Sequence, residues 1–157
     1  EGGLTDPVNG VLFTGWMLDR YPDGALRSKS WLSNGVLQGL SEGWYTNGVQ
    51  EIREHFVAGK SQGVVTRWRE DGTMLSEGTA VDGRLDGTFR RWHPNGQLAE
   101  EATLRLGVPE GVSRAWHPDG SLRAEVQLEG GAVVRQQFWK AGERPAERVE
   151  VASRVAP

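Results

Sequence analysis

The chain has 157 residues, of which 37% are apolar, a fraction that is low for a compact core but sufficient for a thin, elongated array of repeats. Its formal net charge of −3 argues against a protein that binds duplex nucleic acid, which needs a basic surface. The lack of cysteine excludes disulfides and thiolate metal sites, and no apolar run is long enough for a membrane-spanning helix. The first residue, Glu1, is not methionine, so a removed signal peptide is compatible with the sequence and the compartment stays open.

A 24-residue period organises the sequence and indicates a repeat architecture. Residues 1–14 predict a partial N-terminal repeat or cap, and residues 15–134 predict five tandem repeats. Residues 135–157 predict a degenerate repeat and a C-terminal cap, whose last valines form either a final strand or a short helix. The repeating glycines are Gly15, Gly39, Gly63, Gly87 and Gly111; Gly24, Gly48, Gly72, Gly96 and Gly120; and Gly35, Gly59, Gly83, Gly107 and Gly131.

Each repeat contains two short alternating segments on either side of a turn sequence such as Pro94-Asn95-Gly96. Proline suits the second position of a type I turn and the glycine tolerates a positive φ, so we predict a three-residue hairpin loop with a bulge. In this register Trp92 faces Leu98. A second turn, which begins at Asn34-Gly35, predicts a longer connection with positive φ at one or both of its glycines. The sequence therefore predicts an all-β fold: an elongated, single-layer antiparallel meander of tandem 24-residue β-hairpin repeats.

Strict alternation along the strands sorts each repeat into an apolar and a polar face. A single-layer sheet leaves its apolar face uncovered unless the sheet curls, a tail folds over it or another chain docks. The polar face is either a docking surface or a solvated face with weak ion pairs between its arginines and the Glu77, Glu101 and Glu125 column. Candidate binding residues of the apolar face are Trp44, Trp68, Trp92, Trp116, Phe56, Leu98 and Leu122, and those of the polar face are Arg67, Arg69, Arg91, His93 and His117.

No motif in the sequence predicts catalysis, a cofactor or a metal site. The stretch Gly59-Lys60-Ser61-Gln62-Gly63 matches the G-x-S-x-G pattern, but both glycines belong to the repeat and no helix follows, as a nucleophile elbow requires. His93 and His117 occupy the same position in adjacent repeats, about 9.6 Å apart at normal strand spacing, which is too far to bind one metal ion without a bridging group. We expect no catalytic residues and infer no small-molecule substrate.

The stretch from Gly87 to Gly111 is the clearest copy of the pattern Gly-x-x-x-x-Trp-x-Pro-Asx-Gly-x-Leu, followed by a second glycine and G-x-x-x-G. This pattern resembles the variant MORN repeats of bacterial proteins, many of which are labelled YwqK-type antitoxins, and the resemblance covers roughly residues 10–142. It implies an elongated sheet of successive β-hairpins. It also implies a role in scaffolding and, for some members, contact with phospholipid membranes. No catalytic residues belong to this repeat.

These observations lead to three hypotheses for the function. The first is a non-enzymatic repeat protein that mediates protein–protein interaction as a scaffold or assembly subunit, with a protein partner or a second copy of itself. The second, implied by the resemblance, is an antitoxin-like protein that neutralises a toxic enzyme by direct binding. The third is a peripheral membrane-binding protein, which the net charge of −3 and the lack of a dense basic patch disfavour.

Overall fold

The structure, a computed structural model, describes residues 4–6 and 10–143. Within these residues the chain forms thirteen β-strands and no helix, which confirms the predicted all-β fold. The final strand or capping helix predicted for residues 149–155 lies outside the described residues. The strands are β1 (Gly15–Arg20), β2 (Leu26–Ser33), β3 (Val36–Trp44), β4 (Gln50–Val57), β5 (Lys60–Ser61), β6 (Gly63–Trp68), β7 (Met74–Val81), β8 (Arg84–Leu85), β9 (Gly87–Trp92), β10 (Leu98–Arg105), β11 (Val108–Trp116), β12 (Leu122–Glu129) and β13 (Ala132–Phe138).

All of these strands belong to one antiparallel sheet. Along the main path of the sheet, from β1 to β13, neighbouring strands follow one another in the chain. The two-residue strands β5 and β8 lie beside this path and pair with β4 and β7. Because β5 and β6 both pair with β4, they form one interrupted strand, and β8 and β9 do the same against β7. The predicted single-layer meander is therefore confirmed.

The Pro-Asx-Gly turns form as the sequence predicts. In the fourth repeat, Gly96 donates its amide to the His93 carbonyl at 2.9 Å, and His93 donates its amide to the Gln97 carbonyl at 2.7 Å. The first bond closes a type I turn, and Gly96, with a φ of 82°, supplies the bulge. The Asn95 side chain stabilises the turn by accepting a hydrogen bond from the Gln97 amide at 3.1 Å.

The turns between successive hairpins are shorter than predicted. Ser33 pairs with Val36, so only Asn34 and Gly35 form the loop, and their φ angles are 49° and 74°. A two-residue loop with two positive φ angles is a type I′ turn, whose twist matches that of paired strands. The prediction of a longer connection is wrong, whereas the predicted positive φ is confirmed. Equivalent loops are Ala58-Gly59, Asp82-Gly83 and Leu106-Gly107.

A β-bulge beside the hairpin turn adds one residue to the second strand of each hairpin and so shifts the alternation of its side chains between the two faces. Trp92 pairs with Leu98, as predicted, but Arg91 pairs with Glu100, so Ala99 is an extra residue. The same shift occurs in the other repeats. Strict alternation along the strand therefore assigns the residues beyond the bulge to the wrong face of the sheet.

The predicted division into one apolar and one polar face is wrong for this reason. Ile52 pairs with Gly43, the neighbour of Trp44, which puts Ile52 on the opposite face from Trp44. Phe56 lies four residues along β4 and therefore on the Ile52 side. Arg67 pairs with Ile52 and lies on that side as well. The candidate Phe56 thus shares a face with the candidate Arg67, not with the tryptophans.

The face that carries Ile52 and Arg67 (face A) is the better covered of the two faces, and the other is face B. Leu32 and Ala80, which the strand ladders place on face A, are each only 3% exposed. No large side chain of the described residues is fully buried, so the sheet has no thick core. Its stability rests on contacts between neighbouring repeats, as in other repeat arrays.

Candidate interaction surface

A row of alternating charges crosses face B. Arg90 lies between Glu77 and Glu101 in the ladder, and its Nε donates to Glu101 Oε2 at 2.8 Å. In the following repeat, Arg114 Nε donates to Glu125 Oε2 at 3.0 Å. These pairs are partly exposed to water, so each contributes about 0–1 kcal/mol to stability.

Arg67 and Arg91, the exposed arginines of the predicted polar face, lie on face A and not beside this row of charges. Arg67 and Arg91 both pair with Ser76 in the ladder. Arg91 Nη2 donates to Glu100 Oε1 at 2.7 Å, whereas Arg67 makes no ion pair within the part of the chain that the structure describes. The prediction that these arginines stand beside the Glu101 column is wrong, because the bulge moves the return strand by one residue.

The residue after each repeat tryptophan binds the backbone of the following repeat. His93 Nε2 donates to the Trp116 carbonyl at 2.9 Å; since a carbonyl oxygen can only accept, Nε2 carries the proton. Tyr45 donates its hydroxyl to the Trp68 carbonyl at 2.9 Å. We call these residues the donor column. The donor column also includes Tyr21, which follows Arg20 at the tryptophan position of the first repeat. The column comprises Tyr21, Tyr45, Arg69, His93 and His117, and their acceptors are the carbonyls of Trp44, Trp68, Trp92, Trp116 and Trp139.

Three predicted binding candidates, Arg69, His93 and His117, therefore hold neighbouring repeats together and are half-buried. Sequence reasoning missed the equivalent role of Tyr21 and Tyr45. The signal was present, because every residue in this column carries an N–H or O–H donor on a long side chain. Burial, with a contribution from nearby carboxylates, raises the pKa of the Tyr45 hydroxyl above its ordinary value of 10.0.

At the opposite end of the strands, the residue before each repeat-opening glycine binds the next type I′ turn. Gln38 Oε1 accepts a hydrogen bond from the Ala58 amide at 2.9 Å, and Asp86 Oδ2 accepts one from the Leu106 amide at 2.9 Å. We call these residues the acceptor column, since each supplies an oxygen. It comprises Thr14, Gln38, Gln62, Asp86 and Glu110, which bind the amides of Asn34, Ala58, Asp82, Leu106 and Gly130.

The repeat tryptophans are half-buried and do not stack on one another. In the described part of the chain, the one contact between aromatic rings joins Trp16 and Trp31, whose centroids are 5.3 Å apart at 74°. The Lys29 ammonium lies 4.2 Å from the centre of the Trp16 ring and makes a cation–π contact. The remaining candidates of the predicted apolar face, Leu98 and Leu122, are half-buried beside their paired tryptophans.

One cleft of about 170 Å³ opens between neighbouring repeats at the bulge. Its lining includes Trp92, Trp116 and Ala99, which is 5% exposed, and the carbonyls of the two tryptophans are bound there by Arg69 and His93. The bulge position holds Leu75 in the preceding repeat and Arg123 in the following one. The small side chain of Ala99 therefore leaves space at this junction that a larger side chain would occupy.

The two end strands carry exposed apolar side chains. In β1, Trp16 is 48% and Leu18 is 50% exposed. Every residue of β13 is exposed, and Phe138 reaches 65%. Within the described residues β13 pairs only with β12, so its other edge presents backbone donors and acceptors.

The described residues contain no group of three or more His, Cys, Asp or Glu side chains that could hold a metal ion. His93 and His117 lie in adjacent repeats and are each bound to a backbone carbonyl. No helix among residues 4–6 and 10–143 is long and apolar enough to cross a membrane.

These features define a class: an open β-hairpin repeat protein whose repeats are joined through side chains that bind the backbone of the next repeat. Residues 85–105 match the family profile described as the MORN repeat variant, so the chain carries the variant repeat that its sequence resembles. The relation to YwqK-type antitoxins is not established by this match. No curated protein matches the chain.

Two solved structures are similar to part of the chain. A crystal structure of TarM is 13% identical, with a TM-score of 0.37, over 57% of this chain and 18% of that one. A mutant of S. aureus TarM in complex with Fondaparinux, alpha-GlcNAc-glycerol and UDP is 10% identical, with a TM-score of 0.39, over 72% of this chain and 20% of that one. The chain thus spans about a fifth of the length of these proteins.

Proposed function

We propose that this protein is a non-enzymatic repeat protein that binds other proteins, as a scaffold or as a subunit of an assembly. The open single-layer sheet is the observation that carries the proposal. Both faces bear exposed side chains, such as Arg67 on face A and Val64 on face B. The MORN repeat is commonly a repeat of protein or membrane interaction, and this supports the same conclusion.

Exposed apolar side chains give such a surface its binding energy. Val64 and Val112 occupy equivalent positions two repeats apart and are 56% and 36% exposed. Trp16 and Leu18 in β1 and Phe138 in β13 add apolar area at the two ends of the sheet. Covering such area stabilises a complex by about 25 cal/mol for each Å² of apolar surface removed from water.

The end strand β13 is suited to strand addition. All seven of its residues are exposed, and Val133 and Val134 are more than half exposed. A partner strand, or the edge of a second copy, would pair its backbone with β13 and contact these side chains. We therefore expect binding through the sheet edge as well as through its faces.

Capture of partners from the native source tests this proposal. The intact protein is used as bait beside a Val134→Lys, Phe138→Lys variant, which places charges on the β13 surface and should lose partners that bind there. An Arg53→Ala variant, altered on face B away from β13, is the matched control and should keep those partners. Capture of no protein, combined with a monomer at all concentrations in light scattering, would contradict the proposal.

The same experiments separate the alternative functions. A fixed 1:1 complex with an enzyme whose activity is lost on binding would replace the scaffold by the antitoxin-like neutraliser. Flotation with vesicles of anionic phospholipid at physiological salt tests peripheral membrane binding. The net charge of −3 leads us to expect the protein in the soluble fraction.

A further inference from the structure

We infer that the cleft between Trp92 and Trp116 receives an acidic side chain of a partner polypeptide. The inference rests on the proposed function and names the chemistry of one contact within it. Three arginines, Arg69, Arg91 and Arg123, line the cleft together with one acidic residue, Glu100. This local excess of positive charge is opposite in sign to the net charge of −3 of the whole chain.

The arginines keep capacity for a second carboxylate. Arg91 Nη2 lies 2.7 Å and Arg123 Nη2 lies 3.9 Å from the same Glu100 atom, Oε1. Each guanidinium has five N–H donors, and the Arg91 and Arg123 side chains remain 49% and 52% exposed. An incoming carboxylate can therefore form charge-assisted hydrogen bonds with the donors that Glu100 does not use.

Arg69 adds a third positive charge to the cleft. Its guanidinium donates to the carbonyl oxygens of Met74 and Trp92 and to the Thr73 hydroxyl, all of which are uncharged acceptors. Within the described residues, Arg69 forms no ion pair. Since Arg69 is half-buried and held by these bonds, its positive charge is fixed at the cleft.

The size and lining of the cleft fit one side chain. Its volume of about 170 Å³ is smaller than the 300–1,000 Å³ of typical small-molecule pockets. The apolar residues of the lining, Leu75, Pro94 and Ala99, can cover the methylene groups of a glutamate whose carboxylate reaches Arg91 and Arg123. Glutamate has one more methylene group than aspartate, so we expect aspartate to bind roughly fourfold more weakly.

Titration of the intact protein with a tetraglutamate peptide at low ionic strength tests the inference, with the indole N–H resonances of the tryptophans as the readout. We expect saturable shifts at Trp92 and Trp116, smaller shifts at Trp44 and Trp68, and none with a tetraglutamine peptide. Equal shifts at all four tryptophans, or equal shifts with the neutral peptide, would overturn the inference. Tighter binding of inorganic phosphate than of the peptide would also overturn it.

Variants with precedents in neighbouring repeats keep the test independent of folding. We expect Arg91→Ala and Arg123→Ala each to weaken tetraglutamate binding at least fivefold; alanine already stands at both positions in other repeats, as Ala115 and Ala99. Ala99→Leu, which copies Leu75, should fill the cleft and abolish binding.

The matched control is Arg67→Ala, which removes the equivalent of Arg91 from the preceding repeat and should leave peptide binding unchanged. Glu100→Gln should strengthen binding, because it removes the competing carboxylate. A correctly folded Ala99→Leu variant that still binds the peptide would refute the inference. If that variant loses the peptide but keeps a native protein partner, the proposed function stands and that partner uses another surface.

Discussion

The bond between the Tyr45 hydroxyl and the Trp68 carbonyl offers a direct test of how the repeats are joined. Tyr45→Phe removes the hydroxyl, keeps the ring and deletes one hydrogen bond of 2.9 Å in a partly buried position. A neutral hydrogen bond of this kind contributes about 0.5–1.5 kcal/mol, so we expect a loss of about 1 kcal/mol. With a denaturant slope of about 2 kcal/mol per molar urea, the unfolding midpoint should fall by about 0.5 M.

Tyr45→His is the matched control, because histidine performs the same task in the fourth and fifth repeats. Its imidazole should restore most of the lost stability. Urea unfolding followed by tryptophan fluorescence measures the midpoint. Hydrogen exchange of the amides beside Trp68 localises the effect, since repeat arrays can unfold in parts. If Tyr45→Phe unfolds at the wild-type midpoint, or if Tyr45→His is as unstable as Tyr45→Phe, the donor column does not act as described.

Three further predictions follow from the turns and from the tyrosine environment. Ala58 has a φ of 48°, which costs an L-residue about 1–2 kcal/mol; Ala58→Asn, as at Asn34, should raise stability by about 0.5–1 kcal/mol in urea unfolding, and a loss would contradict this. Hydrogen bonds from the Ser121 hydroxyl and amide lower the pKa of Asp119 below 3.8, so its stabilising contribution is present above that pH and lost as the pH falls through the lowered value. The difference in unfolding midpoint between the wild type and Asp119→Asn should shrink on going from pH 6 to pH 2, and a constant difference would argue against it. In a Tyr21→Phe variant, absorbance at alkaline pH should show the one remaining tyrosine titrating above pH 10.0, whereas titration at or below this value would show that burial does not raise its pKa.

The strands and the hairpin turns were predictable from the sequence because their signals are local. Pro94-Asn95-Gly96 specifies a type I turn with a bulge from the properties of its own residues, and the Trp92–Leu98 pairing follows from it. The type I′ turns were harder to predict, because alanine and leucine, at Ala58 and Leu106, give no sign of a positive φ. Asparagine, aspartate or glycine at these positions would have indicated one.

The division of the candidate residues between the two faces could not be predicted because it depends on one additional bulge. Neither leucine nor alanine is a residue type that indicates a bulge, so the sequence does not show that Leu75 and Ala99 are unpaired in the strand ladder. The bulge also determines which arginine meets which glutamate, so the pairing of Arg91 with Glu100 was missed. The cleft beside Ala99 could not be predicted for the same reason, because it lies at the bulge.

The hydrogen bonds between repeats give the array a direction. In the donor column and in the acceptor column alike, a side chain of the earlier repeat holds a backbone group of the later one, as Tyr45 holds the Trp68 carbonyl and Gln38 the Ala58 amide. A repeat added at the C-terminal end supplies only backbone groups to these hydrogen bonds. Because every residue has a carbonyl and almost every residue has an amide N–H, such a repeat needs no particular side chains to be bound. Lengthening of the array by duplication would thus be easier at the C-terminal end. A repeat added at the N-terminal end must itself supply both the donor-column and the acceptor-column side chain.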